Sequence, residues 1–436
     1  MSRVGAATDD TTGAARPSPR RRRLLIVVRD YPPANTPATL RALGFARYLP
    51  EWGWDASVVT MRVGTGAGAD DPSLLPLVPE EGSVYRAFGF DTKDVLSVGG
   101  RYPSLLALPD RNVSWLPAGV VQALRAVRER RVDALLSSGP PLTAHCIAHV
   151  VQRITGLPWI ADIRDLWDGP PSQARLSHAA EHRLARRLLR ACDRLTVVTE
   201  GIGEGLRRSY GVDVTRKTHI LPNGFDEALF AGLEPPPSGS ARFTIAHVGY
   251  AALDYRNPRL FLEMLRAGID RGELPRETQV SFLGADARTL PVLSGALALE
   301  SVVRVRQRVP YLEALREMCA ASALLVLQSE EFGHAVPCKT YEYLRSGRPI
   351  VALVTPGSES ARLLRQFPGV FIARPDHPAE VAASLQAACR AWREGAVFDR
   401  AGTQLAAYTR RAVAAELARI LGHIRAPDTG ERRGGV

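Results

Sequence analysis

The sequence predicts an α/β protein of two Rossmann-like, doubly wound domains facing a cleft, and three observations carry that expectation. Short apolar runs alternate with longer amphipathic stretches, and the alternation occurs twice. The chain has 436 residues, more than one ordinary core organises, so two domains of about 200 residues each is the natural division. Between the two sets stands LEPPPSGSA, residues 233–241, a proline-rich hinge. Such alternation means parallel sheets covered on both faces by helices. Ligands then bind outside the carboxyl ends of the strands.

The elements follow in order. Residues 1–22 read as a disordered basic arm, because Ser, Thr, Gly, Pro and Arg there show no apolar period. The first domain is expected over 23–230. It opens with strand LLIVV (24–28), an amphipathic helix (37–53) and strand DASVVT (55–60). Residues 62–112 show no clear period. Helix 118–131, strand 132–138, helix 141–156 and strand 157–163 come next, then an Arg-rich helix (174–191), strand 194–199 and a helix capped by Thr199. After the hinge (231–241), the second domain is expected over 242–402. Its helix 257–269 starts with Asn257 as cap and Pro258 in the first turn. A closing helix, about 403–424, should pack back on the first domain, and 425–436 read as a disordered tail.

Composition narrows the partners. A net charge of +11 suits anionic partners without choosing among them. Only three of the 56 basic residues are lysines, Lys93, Lys217 and Lys339. A lysine is a compact point charge where arginine is a planar fork. Five scattered cysteines without a C-x-x-C pair point to reduced thiols and a cytoplasmic location. No apolar run approaches the ~20 residues of a membrane helix. No nucleic-acid module is recognisable, so no nucleic-acid partner is expected.

Lys339 stands in VPCKTYEYLRSGRPIV, residues 336–351. A strand leads into a loop with Gly333 and His334, and Pro337 then starts a short helix. Lys339 and Glu342 are three apart and share a face. A free helix N-terminus favours an anion, a lysine meets a diphosphate, and a carboxylate accepts from sugar hydroxyls. A surface ion pair is the plainer alternative.

VPCKTYEYLRSGRPIVAL resembles the nucleotide-sugar segment of GT-B fold retaining glycosyltransferases of family four (glycosyl transferases group 1). HVGYAALDYRNPRLFLEML (247–265), LPWIADIRDLWDGP, TVVTEGIGEGLRRSYGV and YTRRAVAAELARIL resemble further segments of that family, in the right order. The resemblance implies a metal-independent transfer of a sugar from a UDP- or GDP-sugar to an acceptor hydroxyl with retention of configuration. It implies no cofactor beyond this co-substrate. No D-x-D pair occurs in the sequence, so side-chain cations are expected to stabilise the leaving diphosphate. By resemblance these are Arg256 and Lys339, with backbone amides near Gly249 and Gly333, and Glu342 accepts from the ribose. Where many members carry a first glutamate, eight positions before Glu342, His334 stands here.

The first domain should hold a glycan, lipid-linked or small-molecule acceptor, with peripheral contact to an anionic membrane as one use of the basic charge. His145 lies one turn into a helix whose N-terminus is expected to face the cleft, where the resemblance puts it near a phosphate or the reacting sugar. Asp162, Arg164, Asp165 and Trp167 end a strand and are the acceptor-side candidates; an internal Asp–Arg pair is the alternative for them. Three rival readings stand: a scaffold that keeps the fold without catalysis, a GT-B epimerase or phosphorylase, and a zinc peptidase through His178, Glu181 and His182, an H-x-x-E-H pattern.

Overall fold

The computed structural model describes residues 20–62, 70–80, 82–97, 107–167, 175–233, 242–253, 256–400, 402 and 404–424. Most of the expected basic arm, the PPPSG part of the hinge and the tail lie outside the described residues.

The first domain contains β1 (Arg22–Val28), α1 (Pro37–Tyr48), β2 (Trp54–Met61), β3 (Val84–Ala87), α2 (Thr92–Leu96), α3 (Trp115–Arg130), β4 (Ala134–Gly139) and α4 (Leu142–Thr155). It continues with β5 (Trp159–Ile163), α5 (Arg175–Ala191), β6 (Arg194–Val197), α6 (Glu200–Tyr210) and β7 (Thr218–Ile220). The second domain runs through β8 (Thr244–Val248), α7 (Arg259–Asp270), β9 (Gln279–Leu283), α8 (Thr289–Ala296), β10 (Val303–Arg306), α9 (Tyr311–Ala320) and β11 (Ala323–Leu327). It ends with α10 (Cys338–Arg345), β12 (Ile350–Leu353), α11 (Glu359–Leu364), β13 (Val370–Ala373) and α12 (Pro378–Arg393), before the closing helix α13 (Arg410–Gly422).

The strands form a sheet of order β3-β2-β1-β4-β5-β6-β7 and another of order β10-β9-β8-β11-β12-β13. Their pairings are parallel. Strand order reverses between β1 and β4 and between β8 and β11, and residues that follow β1 and β8 line one cavity. This is the two-domain Rossmann-like arrangement expected.

Differences have local causes. The helix expected to Gly53 ends at Tyr48 and tightens into a 3₁₀ turn, Leu49–Trp52, where Pro50 cannot continue α-helical bonding. β3 escapes the sequence pattern because it is a four-residue edge strand with only Tyr85 and Ala87 buried. α8 has Pro291 and Gly295 within eight residues, which hides its helical character. Asn257 makes the N-terminal bond expected of it, its Oδ1 accepting from Arg259 N at 2.9 Å, but α7 starts two residues later than expected and Pro258 takes the cap position.

Two features join the domains. A cluster packs Leu40, Leu74, Phe225 and Phe230 of the first domain with Tyr311, Met318 and Tyr341 of the second. The closing helix returns to the first domain: Thr409 bridges Phe225, and Arg410 lies over Gly44 of α1, where a Cβ would meet its Cδ at 2.8 Å.

The cleft edge of the first sheet is tied by Arg41 of α1. Its Nε and Nη2 donate to the two oxygens of Asp162 at 2.9 and 2.7 Å, and its remaining protons reach Leu221 O and Pro222 O. Both residues are buried. Arg41→Met should cost about 3–5 kcal/mol, because it leaves a buried carboxylate without its cation. Thermal unfolding should show a lower midpoint for the first domain; an unchanged midpoint would contradict this role.

Candidate active site

A cavity of about 200 Å³ lies where the two domains meet. The second domain contributes Gly249, Arg256, Arg308, Tyr311, Lys339 and Glu342, over an apolar wall that includes Leu283, Val309 and Met318. The first domain closes it with Asn35, Thr36, Pro37 and Leu40 at the start of α1. Thr36 caps α1 by accepting from Thr39 N, so the glycine-free loop after β1 is a rigid roof.

Lys339 sits on the first turn of α10 with Nζ buried and without a hydrogen-bond partner. Gly249, with φ of +115°, lies directly against it; any Cβ there would clash with Nζ. Burial, then the nearby Arg256 charge, lowers the ammonium to about 7, while Glu342 opposes the shift and Arg308 adds to it. An unpartnered cation grouped with two guanidiniums invites an anion. Arg256 lines the same cavity, with Nη1 at 3.5 Å from Tyr250 O. Glu342 is buried and accepts from Tyr311 Oη at 2.6 Å. Burial raises its carboxyl, and the Tyr311 bond, Arg410 and Lys339 pull it down. Beneath the cavity, His247 in β8 is buried with Nδ1 at 2.8 Å from Leu325 O, and burial and the Lys339 charge hold it well below its ordinary value.

Gly333 corrects one expectation. Its N–H donates to Glu330 O at 2.9 Å and its carbonyl accepts from Glu359 N. The amide is consumed by a turn rather than offered to an anion. The Gly249 amide is likewise spent, donating to Leu283 O at 2.7 Å, so what the Lys339–Gly249 contact offers is the lysine side chain and not a backbone amide. His334 lies at the domain contact, its carbonyl accepting from Thr199 Oγ1 of α6's cap at 2.6 Å.

The first-domain candidates divide. Asp162 does not face the acceptor side of the cleft: besides Arg41, it accepts from Ser138 Oγ at 2.7 Å and Thr196 Oγ1 at 2.8 Å, and it is 0% exposed. Arg164 is not its partner; it donates to Ser138 Oγ and Pro140 O and pins the turn after β4. Trp167 is buried between His145 and Tyr210, so its faces are unavailable for stacking on a sugar.

His145 is likewise buried, at 0% exposure, and not poised at a phosphate. Ser137 Oγ is 2.7 Å from its Nδ1 and also accepts from Trp159 Nε1 at 2.7 Å. Nδ1 is thus held by Ser137, and Nε2 is packed against Gly139 without a hydrogen-bond partner. Burial pushes the ring down to about 3, so it is neutral at physiological pH. The N-terminus of α4 is also occupied: Asp110 accepts from Thr143 N at 2.6 Å and Thr143 Oγ1 at 2.8 Å. Asp165 alone of these candidates remains an exposed carboxylate. Desolvation by the protein around it raises its carboxyl, and Arg164, His334 and Arg256, the last two from the other domain, pull it down.

Sequence reading missed Tyr311, Arg308, Asp71 and Asn35. Arg308 donates to Asn35 O at 3.2 Å across the domains. A cap-like Pro310 before an apolar period marks Tyr311 as a helix start, but nothing local says that its phenol reaches Glu342. For the zinc reading, the His178 side chain lies outside the described residues. His182 Nε2 is 2.6 Å from Ser209 O, and no group of three metal-ligating side chains occurs among the described residues.

Comparison with known proteins agrees with this geometry. Residues 38–229 match the family model Glycosyltransferase Family 4. No curated protein matches the chain. Among solved structures, HepE from Anabaena in complex with UDP-glucose superposes with a TM-score of 0.60 at 14% identity, covering 92% of this chain and 100% of the other. Sucrose-phosphate synthase from Thermosynechococcus elongatus gives 0.58 at 15% identity over 92% and 98%. WaaG, a glycosyltransferase of lipopolysaccharide biosynthesis, gives 0.59 at 13% over 92% and 100%. Identities this low speak for the fold. The fold is the two-domain GT-B arrangement, and the first domain carries the family match. Within that class the chain resembles family four.

Sulfate, which stays a dianion throughout the neutral range, should bind most tightly when Lys339 is protonated. Affinity is therefore expected to weaken from about pH 6 to about pH 8.5, as the pH rises through the lysine's lowered value. Calorimetry in buffers of different ionisation enthalpy should show proton uptake on binding near neutral pH, and Lys339→Ala should abolish both effects.

Proposed function

We propose that the protein transfers a sugar from a nucleotide diphosphate sugar to an acceptor hydroxyl, with retention and without a metal. The observation that carries this reading is the buried, unpartnered Lys339 Nζ in a cavity shared with Arg256, Arg308 and Glu342. The diphosphate meets Lys339 and Arg256, the glycine at 249 makes room for the Lys339 ammonium, and Glu342 accepts from a ribose hydroxyl. The apolar wall suits the base. HepE, of similar fold, was crystallised with UDP-glucose, which supports a UDP-sugar as the first donor to try.

In the step proposed, the bond from the anomeric carbon to the phosphate oxygen breaks and a bond to the acceptor oxygen forms on the same face. The acceptor proton passes to the departing phosphate, so no nucleophilic carboxylate is required. The cations stabilise charge where it develops on the diphosphate. His334 takes the position beside the transferred sugar, and Asp165 is the first-domain carboxylate open to the acceptor.

Charge on α5 supports a peripheral role at an anionic membrane. Arg183, Arg187 and Arg190 are exposed along one face, and no described carboxylate pairs with them, whereas Arg125, Arg207, Arg266 and Arg419 sit in ion pairs on their own helices. No described helix is long and apolar enough to cross a membrane.

Thermal shift with UDP-, GDP- and dTDP-sugars, each with and without EDTA, tests the reading. One donor should raise Tm equally in both conditions, and that donor should be consumed to free nucleotide and a sugar-bearing product of unchanged anomeric configuration. Lys339→Ala or Arg256→Ala should cut turnover at least about 100-fold with the fold intact. Stabilisation without turnover would favour the scaffold, an altered sugar on an unbroken nucleotide the epimerase, and near-normal turnover in either variant would remove the site assignment.

A further inference from the structure

Tyr311 makes two contacts that point to different domains. Its backbone N–H, the first of α9, donates to Asp71 Oδ2 of the first domain at 2.6 Å. Its phenol donates to Glu342 Oε1 at 2.6 Å inside the cavity. Asp71, Tyr311 and Glu342 are 2%, 5% and 4% exposed, so water does not stand in for either bond.

Asp71 is itself fixed. Its Oδ1 accepts from Ser73 N at 3.1 Å and Ser73 Oγ at 2.5 Å, while Oδ2 is shared by Tyr311 N and Asn35 Nδ2. An acidic side chain from one domain thus caps a helix of the other. That helix carries the phenol against Glu342. Among the described residues, the charged and titratable groups around Glu342 are Lys339, Cys338 and Tyr343 on α10, Arg410 from α13 and Tyr311 from α9, with Asp226 acting on the phenol. Among the described residues, the only side-chain hydrogen bond to this carboxylate comes from Tyr311 to Oε1, which leaves Oε2 for a ligand hydroxyl.

We propose that Tyr311 is a positioning residue: its phenol holds Glu342 so that Oε2 serves the ligand, and its N–H bond to Asp71 makes that arrangement depend on contact between the domains. The ligand named here rests on the nucleotide reading; the geometry does not. Closure of the first domain over the cavity then completes the ribose acceptor as well as the roof.

Tyr311→Phe keeps the ring and the backbone bond and removes only the phenol. Carbon-13 NMR of labelled glutamate carboxyls in the ligand-free protein, with Glu342 assigned by the signal lost in Glu342→Gln, reads the first consequence. Glu342 should titrate at higher pH in Tyr311→Phe than in the wild type, since a buried carboxylate loses its donor. UDP affinity should fall about tenfold near pH 6. The variant-to-wild-type ratio of Kd should shrink as pH rises, because an ionised Glu342 accepts the hydroxyl. Taking the ratio removes the common contribution of Lys339.

Asp71→Ala should move the Glu342 midpoint in the same direction by less, and Asp71→Asn, which keeps an acceptor, should restore it. An unchanged Glu342 midpoint in Tyr311→Phe overturns the positioning role. A shift there with none in Asp71→Ala overturns the dependence on domain contact. Wild-type protein that binds no nucleotide at all overturns the nucleotide reading, and the ligand-free titration still decides the role of Tyr311.

Discussion

The buried pair of Arg41 and Asp162 is the interaction on which the cleft depends. One guanidinium from α1 satisfies a carboxylate at the end of β5 and the carbonyls at 221 and 222, and the same carboxylate takes hydroxyls from β4 and β6. Four elements of the first domain are thereby held at one point, on the edge where their strands end. α1 is then fixed with its N-terminus forward, and residues 35–37 and 40 become the roof of the interdomain cavity. A buried ion pair is a costly way to gain stability alone. Here it has a geometric consequence, since a shift of α1 would open the roof.

On the opposite wall the organising constraint is electrostatic. Lys339, Arg256 and Arg308 converge with Glu342 as the nearby carboxylate, and that carboxylate is already bonded to a phenol. The protein holds these cations in place before any anion arrives. Charge that builds on a leaving group can then be met without reorganising the site. Burial and the neighbouring Arg256 charge lower the lysine.

Several residues that motif and spacing put on the acceptor side of the cleft are instead packed inside the first domain. His145, Trp167 and Asp162 stand near the carboxyl ends of strands, as functional side chains in this fold do, but they point into the domain. They pack under the turn after β4, with Arg164 bonded to that turn from above. The direction of a side chain at a strand end depends on the register and neighbours of the sheet. A linear spacing such as Asp162–Arg164–Asp165 carries no information about which of the three turns outward. Only Asp165 does.

The sequence by itself determined the two-domain α/β class, most strands and helices, the closing helix and four residues that line the interdomain cavity, Gly249, Arg256, Lys339 and Glu342. Those features come from local pattern: apolar runs of strand length, helical periods, the Thr199 cap, the N-terminal bond of Asn257, and the rarity of lysine around Lys339. Tertiary structure decided the rest. Gly333 spends its amide in a turn, Asp162 finds its cation 121 residues away in Arg41, and Tyr311 joins Asp71 to Glu342 across the domains. Each of these outcomes depends on which groups meet after distant segments pack, and burial then makes every such hydrogen bond count. Local pattern can place a side chain on a helix or at a strand end; only the packed sheets say what it touches.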